Sequence, residues 1–198
     1  MRERQVLEDL RALGGVRAPA VVLPSVLASL ELVDYYASLD TPLGPVYVAW
    51  NKRGFCSVMR SATAEEFEST FVRQFGRPVQ RAATLPPDHD RRYDLRGLTE
   101  FERAVLLKAL EIPRGQVRTY GWIAAQIGRP AAVRAVGTVL RKNPIPVLIP
   151  CHRVVRSDGH IGQYALGGSE AKRHILAAEG VRVDDIARLA RGTNAVAM

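Results

Sequence analysis

An apolar stretch that runs into Pro-Cys-His-Arg constrains this chain more than any other feature. Residues 145–155 read Ile-Pro-Val-Leu-Ile-Pro-Cys-His-Arg-Val-Val. The apolar run predicts a buried strand, and Pro150, which lacks a backbone N–H, predicts that the strand stops before Cys151. His152 and Arg153 place positive charge beside the sulfur, which favours the thiolate. The pattern predicts a nucleophilic thiol at a strand end; the alternative is a cysteine that serves as a small buried apolar side chain.

The other cysteine, Cys56, is far from Cys151 in the chain, and the two form no paired motif. This spacing argues against a disulfide scaffold and a cysteine-based zinc site, and the four histidines show no metal-ligand spacing. We therefore expect no metal and no cofactor. The first ten residues are charged, and no segment approaches the roughly 18 consecutive apolar residues of a membrane span. A cytosolic (cytoplasmic) protein with no membrane partner is expected.

The positive charge of this 198-residue chain lies entirely in its second half. The formal net charge is +8; residues 1–94 carry 12 Lys/Arg and 12 Asp/Glu, whereas residues 95–198 carry 16 and 8. A basic half next to a neutral half predicts a polyanionic partner, most simply nucleic acid. An ordinary solvated basic surface is the alternative.

Hydropathy and turn residues divide the chain into consecutive segments. The predicted segments are an N-terminal helical extension (1–33, with helices over 4–13 and 25–31), an α/β domain (34–83), a linker (84–98), a second domain (99–180) and a tail (181–198). In the first domain, three short β-prone runs predict an antiparallel meander. A helix should follow that packs on the meander through Phe67, Phe71 and Phe75, which recur every four residues.

The second domain opens with a pattern typical of a helix-turn-helix. Thr99 and Glu102 have the spacing of a capping box, and Thr119 can cap a second helix. A Gly-Arg-Pro turn then leads to a third helix over residues 131–142. Beyond it, a turn at residues 157–159 should return the chain along residues 160–164.

The third helix carries few long polar side chains on its outer side. Helical periodicity predicts that three residues face the core: Val133, Val136 and Leu140. The opposite side carries Arg134, Thr138 and Arg141, with Ala135 and Gly137 between the two faces. Such a helix can approach a DNA groove closely but can read few base edges, which favours non-specific binding with Arg134 entering the duplex. A helix that merely packs, with a surface arginine, is the alternative.

The residues around Cys151 resemble the active-site signature of the O6-alkylguanine-DNA alkyltransferases, also called methylated-DNA–protein-cysteine methyltransferases. The signature comprises Pro150-Cys151-His152-Arg153-Val154 and the preceding Asn143-Pro144-Ile145-Pro146. Agreement extends over roughly residues 95–180 through Ile112-Pro113-Arg114-Gly115, Thr119-Tyr120-Gly121, Arg134-Ala135-Val136-Gly137, Tyr164 and Glu179-Gly180. The resemblance implies a two-domain α+β fold: a ribonuclease H-like part with a small antiparallel sheet and helix, then a winged-helix-like helix-turn-helix domain with the cysteine.

The resemblance also implies a DNA repair reaction that each molecule performs once. The protein, as a monomer, would bind double-stranded DNA through the minor groove, rotate an O6-alkylated guanine out of the stack and transfer its alkyl group to Cys151. His152 would activate Cys151 through a water molecule, and Glu179 would orient His152. Asn143 would order the turn that supports the active-site strand.

Further roles that the resemblance implies concern the DNA and the flipped base. Arg134 would fill the gap left in the duplex, and Tyr120 would crowd the target phosphate and help to donate a proton to the leaving base. The implied DNA-binding set is Thr119, Tyr120, Arg134, Ala135 and Arg141. The implied base pocket is Tyr164 against the guanine, Val154 supplying backbone groups to its edge, and Pro146. The segment 164–169 is one residue longer than the usual Tyr-x-Gly-Gly, so preference among alkyl groups is not predicted.

Three other functions compete with alkyl transfer. A non-catalytic lesion-sensing DNA-binding protein of the same fold would lack the cysteine, and Cys151 is present. A Cys-His-Glu hydrolase would need an oxyanion hole and would leave the Arg134 helix unexplained. A helix-turn-helix regulator is disfavoured because the third helix carries few long polar side chains that could read base edges. The transfer hypothesis requires an accessible Cys151 with a cavity beside it that is large enough for a purine.

Overall fold

The computed structural model describes residues 33–87 and 92–182, together with residues 185, 186 and 188. The predicted N-terminal helices and most of the tail lie outside these residues. The strands are β1 (Asp34–Leu39), β2 (Val46–Asn51), β3 (Gly54–Met59), β4 (Val79–Arg81), β5 (Arg118–Thr119) and β6 (Val154–Val155). The helices are α1 (Ala64–Phe75), α2 (Glu100–Leu110), α3 (Tyr120–Gln126), α4 (Val133–Arg141) and α5 (Gly168–Ala178), with 3₁₀ turns at Pro130–Ala132 and Cys151–Arg153. Within the described residues, no helix combines the length and apolarity needed to span a membrane.

The larger sheet is mixed, and the chain has an α+β fold. β2 pairs antiparallel with both β1 and β3, which confirms the predicted meander. β4 pairs parallel with β1 and gives the strand order β3-β2-β1-β4, so the prediction of a purely antiparallel sheet is wrong at this edge. Parallel strands need a crossover connection, and α1 supplies it between β3 and β4. β4 has only three residues, too few for the sequence pattern to reveal it.

Helix α1 covers one face of this sheet, as its phenylalanine spacing predicts. Thr63 caps it by accepting a hydrogen bond from the backbone N–H of Glu66. Phe67 and Phe71 have no exposed surface, and the Phe67 ring lies 4.8 Å from that of Tyr36. Burial of two such rings contributes several kcal/mol, which fixes α1 on the sheet.

Helices α2 to α4 form the predicted helix-turn-helix arrangement. Thr99 and Glu102 complete a full capping box at α2, and Thr119 caps α3 through the N–H of Trp122. One expectation fails: Val133 is 40% exposed, although Val136 and Leu140 are buried as predicted. The predicted helix over residues 131–142 begins as a 3₁₀ turn, and α4 starts only at Val133, so the first turn points its apolar residue outward.

The sheet and the helices share one hydrophobic core. It includes Val46, Val48, Phe55 and Val58 from the sheet and Leu106, Ile123, Val136 and Leu140 from the helices. Part of the predicted linker is tied to the sheet, because the Phe55 N–H donates to the Arg92 carbonyl and the Asp94 N–H donates to the Phe55 carbonyl, each at 2.8 Å. The predicted domain boundaries themselves stay a prediction.

A second, two-stranded sheet positions the site. β5 and β6 pair in parallel, with Arg118 opposite Val154 and Thr119 opposite Val155. The start of α3 is thereby fixed beside the 3₁₀ turn that contains Cys151. Tyr120, the first residue of α3, directly follows β5. The pairing of β5 with β6 therefore brings Tyr120 close to the turn that contains Cys151, although the two are distant in sequence.

Two local predictions near the site are wrong. Residues 145–150 do not form a strand, because Pro146 and Pro150 have no N–H to donate; only an isolated bridge joins Pro146 to Ile149. Residues 160–164 form no returning strand. Helix α5 begins at Gly168, and its cap residue Gly167 makes no side-chain hydrogen bond.

Candidate active site

Cys151 lies in a tight turn that its own backbone closes. Its N–H donates to the Ile149 carbonyl at 2.8 Å, and the Arg153 N–H donates to the Pro150 carbonyl at 3.0 Å. The residue is 3% exposed. These bonds fix the backbone at Cys151, which lies at the start of a 3₁₀ turn rather than at the end of a strand.

Asn143 holds this turn and also contacts the sulfur. Its Oδ1 accepts from the Ile145 N–H at 3.0 Å, and its Nδ2 donates to the Ile149 carbonyl at 3.1 Å. The same Nδ2 lies 3.2 Å from Cys151 Sγ. An N–H aimed at sulfur stabilises the thiolate more than the thiol, so Asn143 contributes electrostatically as well as structurally. The side chain is buried, which strengthens both effects.

His152, Glu179 and Arg153 form one buried cluster. His152 Nε2 lies 3.1 Å from Glu179 Oε1, and Arg153 donates to both carboxylate oxygens of Glu179 at 2.9 and 2.7 Å. Arg153 also donates to the Ile112 carbonyl at 2.6 Å. Because a carboxylate only accepts, Nε2 carries the hydrogen and Nδ1 is left as the acceptor. That Nδ1 is buried and has no hydrogen-bond partner among the described residues.

This cluster determines which positive charges near the sulfur are already paired. Burial lowers the pKa of His152, although Glu179 opposes the shift, so the imidazole is neutral near neutral pH. Burial alone would raise the pKa of Glu179, but its hydrogen bonds to His152 and Arg153 lower it to about 2. The Arg153 charge is therefore paired with Glu179. The charge of Arg153 is thus already neutralised, and His152 is uncharged before it takes a proton, so the predicted charge of these two residues beside the sulfur stays a prediction for the later state in which His152 is protonated.

Lys172 places a positive charge near the sulfur, and the sequence reasoning missed it. The side chain has no exposed surface, and its ammonium donates to the Val154 carbonyl at 2.5 Å. Burial raises the pKa of Cys151, whereas the Asn143 hydrogen bond and the positive charge of Lys172 act in the opposite direction. The signal was present: Lys172 falls on the same face of α5 as Ile175, Leu176 and Glu179, a face that otherwise turns inward.

Two tyrosines border the cluster. Lys172 Nζ donates to Tyr120 Oη at 3.5 Å, and burial raises the pKa of Tyr120. Tyr164 is buried, and its ring meets the ring of His152 edge to face at 5.8 Å. Gly162 is required here, because a Cβ at this residue would lie 2.8 Å from Tyr120 Oη. The Tyr120 hydroxyl is thus enclosed between Lys172 and the backbone of Gly162.

A cleft of about 1230 Å³ lies on the other side of Tyr120. It is lined by residues of α3, α4, the segment 156–163 and the start of α5. Four of the predicted DNA-binding residues share it: Thr119, Tyr120, Arg134 and Arg141. Ala135 is exposed on α4 but is not part of the lining. Arg134 and Arg141 have no carboxylate partner within the part of the chain that the structure describes, so their charges are available to a polyanion.

The predicted base-pocket residues lie away from this cleft. Cys151, Val154 and Tyr164 are buried and are not in its lining, and Pro146 lines a separate groove with Asn143. The expectation that the sulfur is accessible beside the purine-sized cavity is therefore not met in this structure. Tyr120 is the common boundary, since its ring lines the cleft while its hydroxyl contacts Lys172. A base in the cleft could reach the sulfur only if this boundary moved.

Metal chemistry has no evident donor set here. Among residues 33–87, 92–182 and the three described tail residues, no group of three or more His, Cys, Asp or Glu could hold a metal ion. Both cysteines are free and buried. The chemistry open to the described site is therefore that of a thiol, an imidazole, an ammonium and two phenols.

Comparisons of the sequence with known proteins identify relatives over much of the chain. The sequence profile of the 6-O-methylguanine DNA methyltransferase DNA-binding domain matches residues 100–181. A methylated-DNA–protein-cysteine methyltransferase of Methanosarcina acetivorans is 36% identical over 155 residues, which cover 74% of this chain and 98% of that protein. The rat protein of the same name is 51% identical over 82 residues, which cover 41% of this chain and 39% of the rat protein. The chain thus spans about two fifths of this mammalian relative.

The fold also matches solved structures. The crystal structure of Mycobacterium tuberculosis OGT in complex with DNA superimposes with a TM-score of 0.57 at 29% sequence identity. The match covers 77% of this chain and 98% of that one. It therefore extends beyond the helix-turn-helix segment into the mixed sheet.

Proposed function

This chain belongs to the methylated-DNA–protein-cysteine methyltransferase family, and from that premise we propose that it repairs DNA by moving the alkyl group of an O6-alkylated guanine onto its own Cys151. The proposal rests on the arrangement of three features around the Cys151 sulfur. The Asn143 amide donates to it, a neutral His152 is held by Glu179, and a basic cleft lies beyond Tyr120.

The first step is loss of the thiol proton. His152 keeps a hydrogen on Nε2 for Glu179, so its free Nδ1 accepts the Cys151 proton through a water molecule. Glu179, with a pKa near 2, remains charged and stabilises the imidazolium that forms. Asn143 and Lys172 stabilise the thiolate.

The second step is displacement at the alkyl carbon. The sulfur lone pair forms a C–S bond while the C–O6 bond breaks, and that electron pair stays on the guanine. The Tyr120 hydroxyl then donates a proton to the leaving base. The product is a thioether, which has no acyl bond to hydrolyse, so each chain acts once.

The base must leave the helix before this chemistry can occur. Extruding a nucleotide costs a few kcal/mol of stacking and pairing. We propose that Arg134, exposed at the start of α4 and lining the cleft, enters the duplex from the minor groove and offsets part of that cost. Thr119 and Arg141 line the same cleft and would hold the phosphate backbone, with Ala135 permitting close approach.

The remaining assignments are extensions of this proposal. Tyr164, Val154 and Pro146 would form the base pocket once the Tyr120 boundary has moved. We further propose a two-domain organisation, with a ribonuclease H-like domain over 34–83 joined by the segment 84–98 to a winged-helix-like domain over 99–180. The protein would act as a monomer on double-stranded DNA in the cytoplasm, without a cofactor.

Transfer should be stoichiometric. Incubation with duplex DNA carrying radiolabelled O6-methylguanine should move label to protein until one methyl group is bound per chain, because the thioether blocks further reaction. Protein-bound radioactivity against time measures this. Binding of the lesion without label transfer would instead identify a non-catalytic lesion sensor, and continued release of methanol would identify a hydrolase.

Arg134→Ala should slow repair in duplex DNA but not reaction with the free base. We expect about a tenfold loss in duplex, since part of the extrusion cost is no longer offset, and nearly unchanged alkylation by free O6-benzylguanine. The matched control is Arg103→Ala, which removes the same charge from an exposed position on α2 outside the cleft. Equal losses of rate with duplex DNA and with the free base would show that Arg134 has no role in base extrusion.

A further inference from the structure

Trp122 places an indole ring on the wall of the basic cleft beyond Tyr120. The buried residues of α3 are Ile123 and Ala124. Trp122 is only partly buried: it packs against the edge of the core and borders the cleft with the rest of its side chain. The chemistry at Cys151 does not need this ring. An aromatic ring beside unpaired arginines is the combination that binds single-stranded nucleic acid, because bases stack on the ring while cations hold the phosphates.

Arg118 holds the indole without entering the cleft. Its guanidinium carbon lies 5.4 Å from the centre of the Trp122 ring, which is a cation–π contact. The guanidinium is itself fixed by donating to Gln116 Oε1 at 2.8 Å and to the Val117 carbonyl at 2.9 Å. Arg118 does not line the cleft, so it leaves uncovered the part of the ring that borders the cleft. A ring held in this way loses little side-chain entropy when a ligand stacks on it.

The neighbours of Trp122 in the cleft are small or apolar, with one amide among them. Ala125 and Gln126 lie one turn further along α3, on the same face, and Gly121 also lines the cleft. Val133 of α4, which is 40% exposed, contributes a further apolar side chain. Small side chains leave room for a flat group beside the indole, and the Gln126 amide can donate and accept hydrogen bonds. A nucleobase fits this lining, because it has two apolar faces and an edge of donors and acceptors.

Charge in the same cleft favours a nucleotide over a neutral aromatic compound. The lining contains Arg134, Arg141, Arg156 and Arg173 and one carboxylate, that of Asp158, which accepts from Arg156 at 2.7 Å. Within the described residues, the other three arginines have no carboxylate partner. Sites for one small ligand measure roughly 300–1,000 Å³. The cleft, at about 1230 Å³, is therefore large enough for more than one nucleotide.

We propose that Trp122 is a stacking site for an unpaired nucleobase of single-stranded DNA, a second base site separate from the one at Cys151. It rests on the proposed function only in taking DNA as the partner. The base lies on the indole with its edge towards Gln126, and its phosphates face the arginines of α4. The bases of an intact duplex are stacked on one another and do not reach the ring. The site thus adds affinity for single-stranded DNA and little affinity for paired DNA.

Fluorescence can report on this site, because the chain has only two tryptophans. Trp50→Phe removes the other indole and keeps an aromatic ring between Tyr35 and Phe55. Single-stranded oligothymidylate should quench the tryptophan emission of this variant as thymine stacks on Trp122. Lesion-free duplex at saturation, judged by the anisotropy of labelled DNA, should change the emission little. Unchanged emission at saturating oligothymidylate would overturn the proposal.

Substitutions of Trp122 separate stacking from packing. Trp122→Leu keeps an apolar side chain but has no flat ring, so affinity for oligothymidylate should fall about tenfold, while affinity for lesion-free duplex changes less than about twofold. Trp122→Phe should recover most of the loss. The dependence of affinity on salt should stay as steep in Trp122→Leu as in the unmodified chain, since stacking releases no counterions. Arg141→Ala, by contrast, should reduce that slope by about 0.7. Trp50→Phe is the matched control and should bind like the unmodified chain.

Three results would show that Trp122 only supports α3 or positions the arginines, and would overturn the proposal. They are equal losses for Trp122→Leu and Trp122→Phe, an equal loss on duplex DNA, and a shallower salt dependence in Trp122→Leu. Circular dichroism checks folding, and the fluorescence experiment leaves Trp122 in place should Trp122→Leu not fold. Label transfer from O6-methylguanine DNA is measured separately. Quenching without transfer would reject the repair function and keep the stacking site, whereas transfer without quenching would do the reverse.

Discussion

Replacing Cys151 by serine should abolish alkyl transfer and leave binding to duplex DNA unchanged. A serine hydroxyl is hardly ionised near neutral pH, whereas a free cysteine with a pKa of about 8.5 is already a few per cent thiolate. His152 is positioned to take a thiol proton, not to generate an alkoxide. The serine side chain has nearly the same shape, so the turn that Asn143 holds should persist. Protein-bound label from radiolabelled O6-methylguanine DNA measures transfer, and a mobility-shift titration measures binding.

The chain carries its own control for this experiment. Cys56 is also buried and free, but its sulfur lies 3.6 Å from Asp34 Oδ2. Burial, with the charge of Asp34, raises the pKa of Cys56, so this thiol stays protonated. Cys56→Ser keeps a donor to Asp34 and should transfer one methyl group as before. Residual label on Cys151→Ser, or loss of transfer in Cys56→Ser, would contradict the assignment of the nucleophile.

Structural features that depend on short-range signals could be predicted from the sequence. The caps at Thr99 and Thr119 each depend on one side chain and an amide three residues later, and both form. The burial of Phe67 and Phe71 follows from helical periodicity alone. The family resemblance predicts that Glu179 orients His152, and the structure places the two side chains 3.1 Å apart, while their catalytic roles stay a prediction.

Where the conformation depends on distant contacts, the same reasoning failed. The apolar run before Cys151 predicts a strand, yet its two prolines cannot donate to a ladder and Val147 adopts a positive φ of 73°. For a β-branched residue that backbone is strained by about 1–3 kcal/mol, so the surroundings must impose it. Asn143 supplies part of this constraint through its bonds to Ile145 and Ile149. The hydropathy pattern does not indicate this constraint; the expectation that Asn143 orders the turn came only from the family resemblance.

The sequence also did not indicate which positive charge acts on the Cys151 sulfur. The residues adjacent to Cys151 in sequence are cationic or nearly so, but Arg153 is paired with Glu179 and His152 is neutral. The charge that acts on the sulfur is on α5, where Lys172 turns inward. Adjacency in the chain therefore predicted a nucleophile but did not indicate the lysine charge near it, because tertiary packing decides which charges are already paired.

Glu179→Gln should be the most damaging change outside the cysteine itself. The amide cannot pair with Arg153 as a carboxylate does and cannot stabilise a charged His152. Removing one partner of a buried ion pair typically costs about 3–5 kcal/mol. We expect the free energy of unfolding to fall by about 3 kcal/mol and the transfer rate to fall on the order of 100-fold. Urea titration and single-turnover transfer measure the two effects. Glu111→Gln is the matched control, because Glu111 pairs with Lys108 at an exposed site and such pairs contribute about 1 kcal/mol or less.

The pH dependence of stability tests the same cluster independently. The pKa of Glu179 is lowered from an ordinary value near 4.5 to about 2 in the folded chain. A carboxyl whose folded pKa is depressed binds its proton more readily when unfolded, so its stabilisation is present above pH 4.5 or so and is lost as the pH falls towards 2. Between these values the unmodified protein should lose stability more steeply than Glu179→Gln, whose amide does not titrate. Parallel stability curves for the two proteins from pH 5 down to pH 2 would mean that the carboxylate is not charged and paired in the folded state. His152 would then have no anion to stabilise the proton that it takes from Cys151.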